Sequence, residues 1–200
     1  MKFYTVQCIR LTIVLLMFNS WFCIAQSATP QSIANAAMQL TKQQVTYDPS
    51  YFSISYPNGD VPADKGVCTD VVIRTYRKLG IDLQQLVHED MTANFNAYPN
   101  IWGLKNPDSN IDHRRVPNLM TFFKRQQSSL PITSNPSDYK PGDIVSWSLG
   151  GGLTHIGMVS NNTATSSPNR YLIVHNIGAG QVLEDCLFRF KIIGHYRYMP

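Results

Sequence analysis

The sequence predicts an α+β fold in a single domain, with helices first and an antiparallel sheet after them. Three observations carry this. Apolar residues recur at helical spacing through the first half of the chain, ending near Phe123. From Asp143 onward, strand-like runs succeed one another with no helical pattern between them. The joints between those runs are PGD, GGG, NNTATSSPN and GAG, turn-forming and short enough to suit hairpins rather than crossovers.

The elements follow in order. Lys2 and Arg10 precede the apolar run Leu11 to Phe18, and small residues end the segment, the three parts of a secretory signal. Asn19 and Ser20 interrupt the run well short of the ~20 residues that span a bilayer. Residues 1–25 are therefore read as a signal peptide cut after Ala25 or Ala28, with the mature domain over 29–200. Cys23 lies near the cut, but Phe22 before it is too large for a lipidation site. Thr29-Pro30 is an N-cap with proline at the first helical position, opening a helix of about 30–44 through Ile33, Ala36, Ala37 and Leu40. Tyr51 to Ser55 alternates weakly as a short strand, and Tyr56-Pro-Asn-Gly59 closes it as a turn. A second helix begins near Cys68, with Val67, Val71 and Leu79 on one stripe and Gly80 where helices end. Asp64 and Asp70 suit its N-terminal end, and Arg74, Arg77 and Lys78 its C-terminal end. Leu83, Leu86, Val87, Met91 and Phe95 mark a third helix that Tyr98-Pro99 stops. Residues 100–116 read as a long loop, and Pro117 opens a short helix. The strands are expected at 143–147, 155–160, 171–177, 181–184 and 191–199, with a polar loop at 161–169.

Composition narrows the function class. Apolar content of 44% with 15% charged residues fits an ordinary globular protein. The formal charge of +4 falls by two when Lys2 and Arg10 leave with the signal, which gives no basic face for nucleic acid. Cys8 and Cys23 also leave, so the mature chain holds Cys68 and Cys186. In an oxidising compartment such a pair invites a disulfide.

The alternative is chemical. A helix N-terminus carries unsatisfied amide donors and partial positive charge, so Cys68 on the first turn is placed as a thiolate nucleophile. Gly66 leaves a substrate carbonyl room to approach the sulfur, and the local amides are candidate oxyanion donors. The later strands offer a base. His155 follows the flexible Gly150-Gly151-Gly152, and His175 sits inside YLIVHNI; on neighbouring antiparallel strands their rings can meet, one as base and one as orienter.

Gly66-Val-Cys68-Thr, Lys140-Pro-Gly-Asp-Ile-Val145, Thr154-His-Ile-Gly-Met-Val159 and Leu172-Ile-Val-His175, in that order, resemble the papain-like cell-wall cysteine hydrolases of the NlpC and CHAP type. The whole mature chain resembles a secreted bacterial family within that group catalogued as domain of unknown function 1287. The resemblance implies a papain-like fold, Cys68 as nucleophile, His155 as base, His175 as third polar residue and peptidoglycan stem peptide as substrate. Asn176 is the runner-up for the third position, and by strand alternation only one of the two faces His155.

In Asn110-Ile-Asp-His-Arg-Arg115, the residues Asp112, His113, Arg114 and Arg115 form either a site for a carboxylate-bearing substrate or a structural clamp between loops. His88 and His195 read as ordinary, partly exposed histidines. The histidines are scattered, with no His-Glu-x-x-His, no Cys-x-x-Cys and no phosphate loop after a strand, so neither metal nor cofactor is expected. The expected function is an exported cysteine hydrolase cleaving an amide bond in cell-wall peptide through Cys68, His155 and His175. A noncatalytic periplasmic binding or scaffold module, and acyl transfer on the same dyad, are the other two readings. No nucleic-acid partner and no membrane anchor after signal cleavage are expected.

Overall fold

The computed structural model describes residues 28–200, and the expected signal peptide with Cys8 and Cys23 lies outside the described residues. Helix α1 (Pro30–Leu40) starts as read, because the Thr29 hydroxyl accepts the Ser32 N–H while the Ser32 hydroxyl accepts the Thr29 N–H. It stops short of residue 44, at a Thr41 cap. Next come the two-residue strands β1 (Thr46–Tyr47) and β2 (Lys65–Gly66), which pair in parallel and had no signature in the sequence. The expected strand at Tyr51–Ser55 does not form. Its backbone is held instead by a side chain, the Ile54 N–H donating to Asn110 Oδ1 at 2.9 Å.

Helix α2 (Cys68–Arg77) follows, and Gly80 after it adopts the left-handed φ of +79° that the helix end requires. Helix α3 (Leu83–Asn94) runs into a 3₁₀ turn ending at Ala97, just before Tyr98-Pro99. The expected loop is irregular apart from a 3₁₀ turn at Asp112–Arg114, and α4 (Val116–Arg125) starts around Pro117.

The second half is the five-stranded antiparallel sheet β3 (Ile144–Gly150), β4 (Leu153–Ala164), β5 (Ser167–His175), β6 (Val182–Glu184) and β7 (Lys191–Tyr196), in spatial order β6-β5-β4-β3-β7. The polar stretch 161–169 is not a loop. β4 and β5 extend through it, Thr163 paired with Tyr171 and Ala164 with Ser167, leaving a tight turn at 165–166. There the ladder runs past the core, so its side chains are polar although its backbone is paired.

Strand alternation gives the sheet two apolar faces. On one, Ile144, Ile156, Met158, Val174 and Tyr196 pack against the helices through Ile33, Leu40, Val71, Val72, Leu119 and Phe123. On the other, Tyr139, Val145, Trp147, Val159, Ile173, Cys186 and Leu187 form a smaller cluster. Helices thus cover one face, as α+β packing requires. The PGD turn joins the layers at close quarters, since a Cβ on Gly142 (φ +87°) would lie 2.5 Å from the Pro30 carbonyl oxygen. The C-terminus is part of the core. β7 flanks β3, Tyr198 packs among Tyr76, Phe122 and Phe123, and the Tyr76 hydroxyl donates to the Tyr198 carbonyl at 2.7 Å. His195, read as partly exposed, is buried, with Nε2 2.9 Å from Asp143 Oδ2 and Nδ1 3.0 Å from the Pro131 carbonyl oxygen. Among the described residues no helix is long and apolar enough to cross a membrane.

Candidate active site

Cys68 is the first residue of α2. Its N-cap, Val67, has no side-chain acceptor, so the helix start is held from the other side by Asp70, whose Oδ2 accepts the Val67 N–H at 2.7 Å. Asp70 is buried and is itself held by Arg114, with Nε to Oδ1 and Nη2 to Oδ2 both 3.1 Å. The same guanidinium donates to the carbonyls of Ser50 and Asp48, and the Thr69 hydroxyl donates to the Arg114 carbonyl. Gly66 belongs to this packing, because a Cβ there would stand 3.3 Å from both Asp70 and Arg74 side chains. Its absent side chain serves close approach of the strand to the helix start.

The sheet delivers the histidines. Met158 pairs with Val174, so Ile156 falls opposite Asn176, one residue past the end of β5. The helix start occupies the place that β5 vacates. Asn176 Nδ2 donates to the Gly66 carbonyl at 3.2 Å, and the amides of Ile156, Thr69 and Cys68 lie near enough to the Cys68 sulfur to favour its charged form. His155 is the residue just before Ile156. Its ring stacks on Trp147, its cross-strand partner, with centroids 5.6 Å apart, and Trp147 is anchored by its indole N–H to the Leu187 carbonyl at 2.8 Å.

His175, on the neighbouring strand, reaches the same ring, His155 Nε2 to His175 Nδ1 being 2.9 Å. Asn176 points away and pins β2 just before the cysteine, and of the two it is His175 that touches His155. A further carboxylate was missed in the sequence. Glu184 Oε2 lies 3.0 Å from His175 Nε2. Its signal was parity, because His175 pairs with Val182 and Glu184, two residues on, points to the same face. Tyr47, paired with Gly66 and beside Cys68, was also missed, as two-residue strands leave no periodic signal.

This series of hydrogen bonds sets the tautomers. An ionised carboxylate only accepts, so His175 Nε2 carries the proton given to Glu184 and His175 Nδ1 is an acceptor. His155 must then donate from Nε2, which leaves its Nδ1 as a basic nitrogen. The arrangement can pass a proton along Glu184, His175 and His155. The charge state, however, differs from the thiolate expected of a helix N-terminus. Cys68 retains only 7% of its surface, and burial pushes the thiol up to about 12 against the smaller opposing pull of the Ile156, Thr69 and Cys68 amides. Burial and the neighbouring His175 push His155 down to about 3. The resting pair is therefore neutral thiol and neutral imidazole. Among the described residues both cysteines, Cys68 and Cys186, are free, and they lie in different apolar clusters.

In the Asp112–Arg115 segment, left open between a substrate site and a clamp, the side chains of Asp112, His113 and Arg114 are buried. Asp112 is fully buried, accepting the Asp108 N–H at 2.8 Å and facing His88 Nδ1 at 2.9 Å; burial raises its carboxyl above the usual range. His113 is buried and neutral, pushed down to about 3 by desolvation. Arg114 is spent on Asp70. Arg115 alone lines a cavity, of about 210 Å³, where its guanidinium lies 4.1 Å over the Trp102 ring and its Nη1 has no hydrogen-bond partner.

Fold and site together define an α+β protein with a cysteine at a helix start and a hydrogen-bonded series of two histidines and a glutamate on its antiparallel sheet. The chain belongs to the family described as Domain of unknown function (DUF1287), which matches residues 34–198. It is similar to "Uncharacterized protein YijF" of Escherichia coli (strain K12), 54% identical over 173 residues that cover 86% of this chain and 83% of that protein. No solved structure matches.

Proposed function

We propose that this protein is an exported, papain-like cysteine hydrolase that cleaves an amide bond in the stem peptide of peptidoglycan. The observation that carries the reading is the series Glu184–His175–His155. It leaves a basic nitrogen on the ring adjoining the residue whose amide lies near the Cys68 sulfur. In this mechanism the Cys68 thiol gives its proton to His155 Nδ1 as the sulfur attacks the carbonyl carbon. The oxyanion is met by the amides near the sulfur, and the proton passes from Nδ1 to the leaving amine. Water, deprotonated by the same nitrogen, then releases the acid from the thioester. Because burial disfavours a standing thiolate, proton transfer and attack occur together. The ordered motifs around Cys68, His155 and His175 supply the substrate class, and the basic-then-apolar N-terminus supplies a periplasmic or secreted location. Arg115, whose Nη1 has no hydrogen-bond partner, is the arginine left to hold a stem-peptide carboxylate.

A second reading, a noncatalytic binding module, draws on one observation, the burial of Cys68. Incubation of the mature protein with muropeptides decides between them. New amino and carboxyl termini, found by mass spectrometry, are expected; intact tri-, tetra- and cross-linked muropeptides after prolonged incubation would overturn the hydrolase. Transfer of the acyl group to an added amine in place of water would reassign the enzyme as an acyltransferase on the same dyad.

Glu184→Gln tests the carrying observation. The amide no longer dictates which nitrogen of His175 is protonated, so turnover is expected to fall roughly 10- to 100-fold, the usual scale for a partner that orients a histidine. The KM should stay within about twofold, because Glu184 touches no substrate. Unchanged turnover would remove Glu184 from the mechanism.

A further inference from the structure

The hairpin of β5 and β6 gathers more than a hydrogen-bond relay. Cys186, two residues past the end of β6, brings its sulfur to 3.5 Å from His175 Nε2, the atom that also faces Glu184 Oε2 at 3.0 Å. All three ligand atoms lie within 4.8 Å of one another. A tetrahedral zinc ion bonded at about 2.0–2.3 Å to nitrogen, oxygen and sulfur holds such atoms roughly 3.3–3.7 Å apart. The thiol is buried and the imidazole is buried, whereas the Glu184 side chain keeps 36% of its surface, so the fourth position opens to solvent. Arg189 Nη1 now lies 3.1 Å from Glu184 Oε2, but its side chain is half exposed and can swing aside. The sequence hid this set, since its members are far from any zinc-finger or metalloprotease spacing.

The geometry points to a site for a thiophilic divalent cation, of the zinc class, formed by His175 Nε2, Glu184 Oε2 and Cys186 Sγ. Its effect follows from tautomers and rests on the hydrolase reading. The cation takes the place of the proton on His175 Nε2. The remaining proton of that ring must then sit on Nδ1 and donate to His155 Nε2. His155 in turn carries its proton on Nδ1, the nitrogen that would have received the thiol proton. Each histidine keeps one proton, and the one released to solvent comes from the Cys186 thiol. Metal binding thus converts the base into its unreactive tautomer, and cation removal restores it.

Titration of the reduced, mature protein with Co²⁺ alone tests the site without any substrate. A near-ultraviolet sulfur-to-cobalt charge-transfer band is expected, saturating at one equivalent, with one proton released and full displacement by Zn²⁺. Cys186→Ser should abolish the band and Cys68→Ser should keep it. Glu184→Gln should weaken Co²⁺ binding at least about tenfold, a check that survives if Cys186→Ser fails to fold. No band at saturating Co²⁺, or a band lost with Cys68 and kept with Cys186, would overturn the site. Nitrogen-15 shifts of His155 read the switch directly. A proton that stays on Nε2 after Zn²⁺ is bound would sink the inhibitory step alone. Failure of the hydrolase reading would show only in the muropeptide incubation.

Discussion

Cys68→Ala is expected to lower turnover on muropeptides by at least about 10⁴-fold, because the acyl intermediate has no other atom on which to form. The protein should remain folded. Alanine removes one sulfur from a nearly buried position and adds no polar group, so the loss is of order 1 kcal/mol, about 2–4 °C in melting temperature for a chain of this size. Activity and stability therefore separate, which distinguishes a nucleophile from a packing residue. Residual turnover above roughly a hundredth of the wild-type rate, in a variant that melts normally, would remove Cys68 from the chemistry. The buried thiol makes the comparison sharper. With the Cys68 thiol pushed up to about 12, iodoacetamide should modify it slowly at neutral pH in the absence of substrate.

Arg114→Ala is expected to produce the largest loss of stability. The guanidinium and the Asp70 carboxylate are both buried, and truncating one side leaves the other as an uncompensated charge at the start of α2. Breaking such a pair typically costs about 3–5 kcal/mol. For a domain of this size the melting temperature should fall by roughly 10 °C. Arg114→Ala combined with Asp70→Asn should regain part of that loss, since the stranded charge is gone while an oxygen remains to accept the Val67 N–H. A melting temperature unchanged by Arg114→Ala would show that water reaches Asp70, and the clamp would then explain nothing about how Cys68 is held.

Much of this architecture was legible because it depends on local chemistry. Thr29-Pro30 and Gly80 punctuate helices by capping and by left-handed backbone, effects confined to a few neighbouring residues. The strand runs around His155 and His175 declared themselves by period, and their order placed both rings on one face. What escaped had a different origin. Tyr51–Ser55 carries weak alternation but finds no strand to pair with, so Asn110 binds its backbone instead. The polar stretch 161–169 is ladder rather than loop because pairing depends on the partner strand, not on apolar side chains. Arg114 reads equally as a ligand-binding arginine or a clamp until Asp70, 44 residues away in sequence, is seen to pair with it. Glu184 and Cys186 join the histidines only through hairpin register. The charge of Cys68 depends on burial, a property of the finished layers that no helix position reveals.

The place of the last strand also governs when Cys68, His155 and His175 can be fixed in one fold. β7 is the last of the described strands in the sequence, yet it flanks β3, and Tyr198 fills the core between α2 and α4. A polypeptide emerging N-terminus first presents Cys68 long before the segments bearing His155 and His175, and the layer that fixes them closes only with the terminal residues. Until then Cys68 lies on a segment to which neither histidine strand has docked. Under the proposed mechanism, a product truncated before Tyr196 would lack the strand that flanks β3 and would show no hydrolysis of muropeptides.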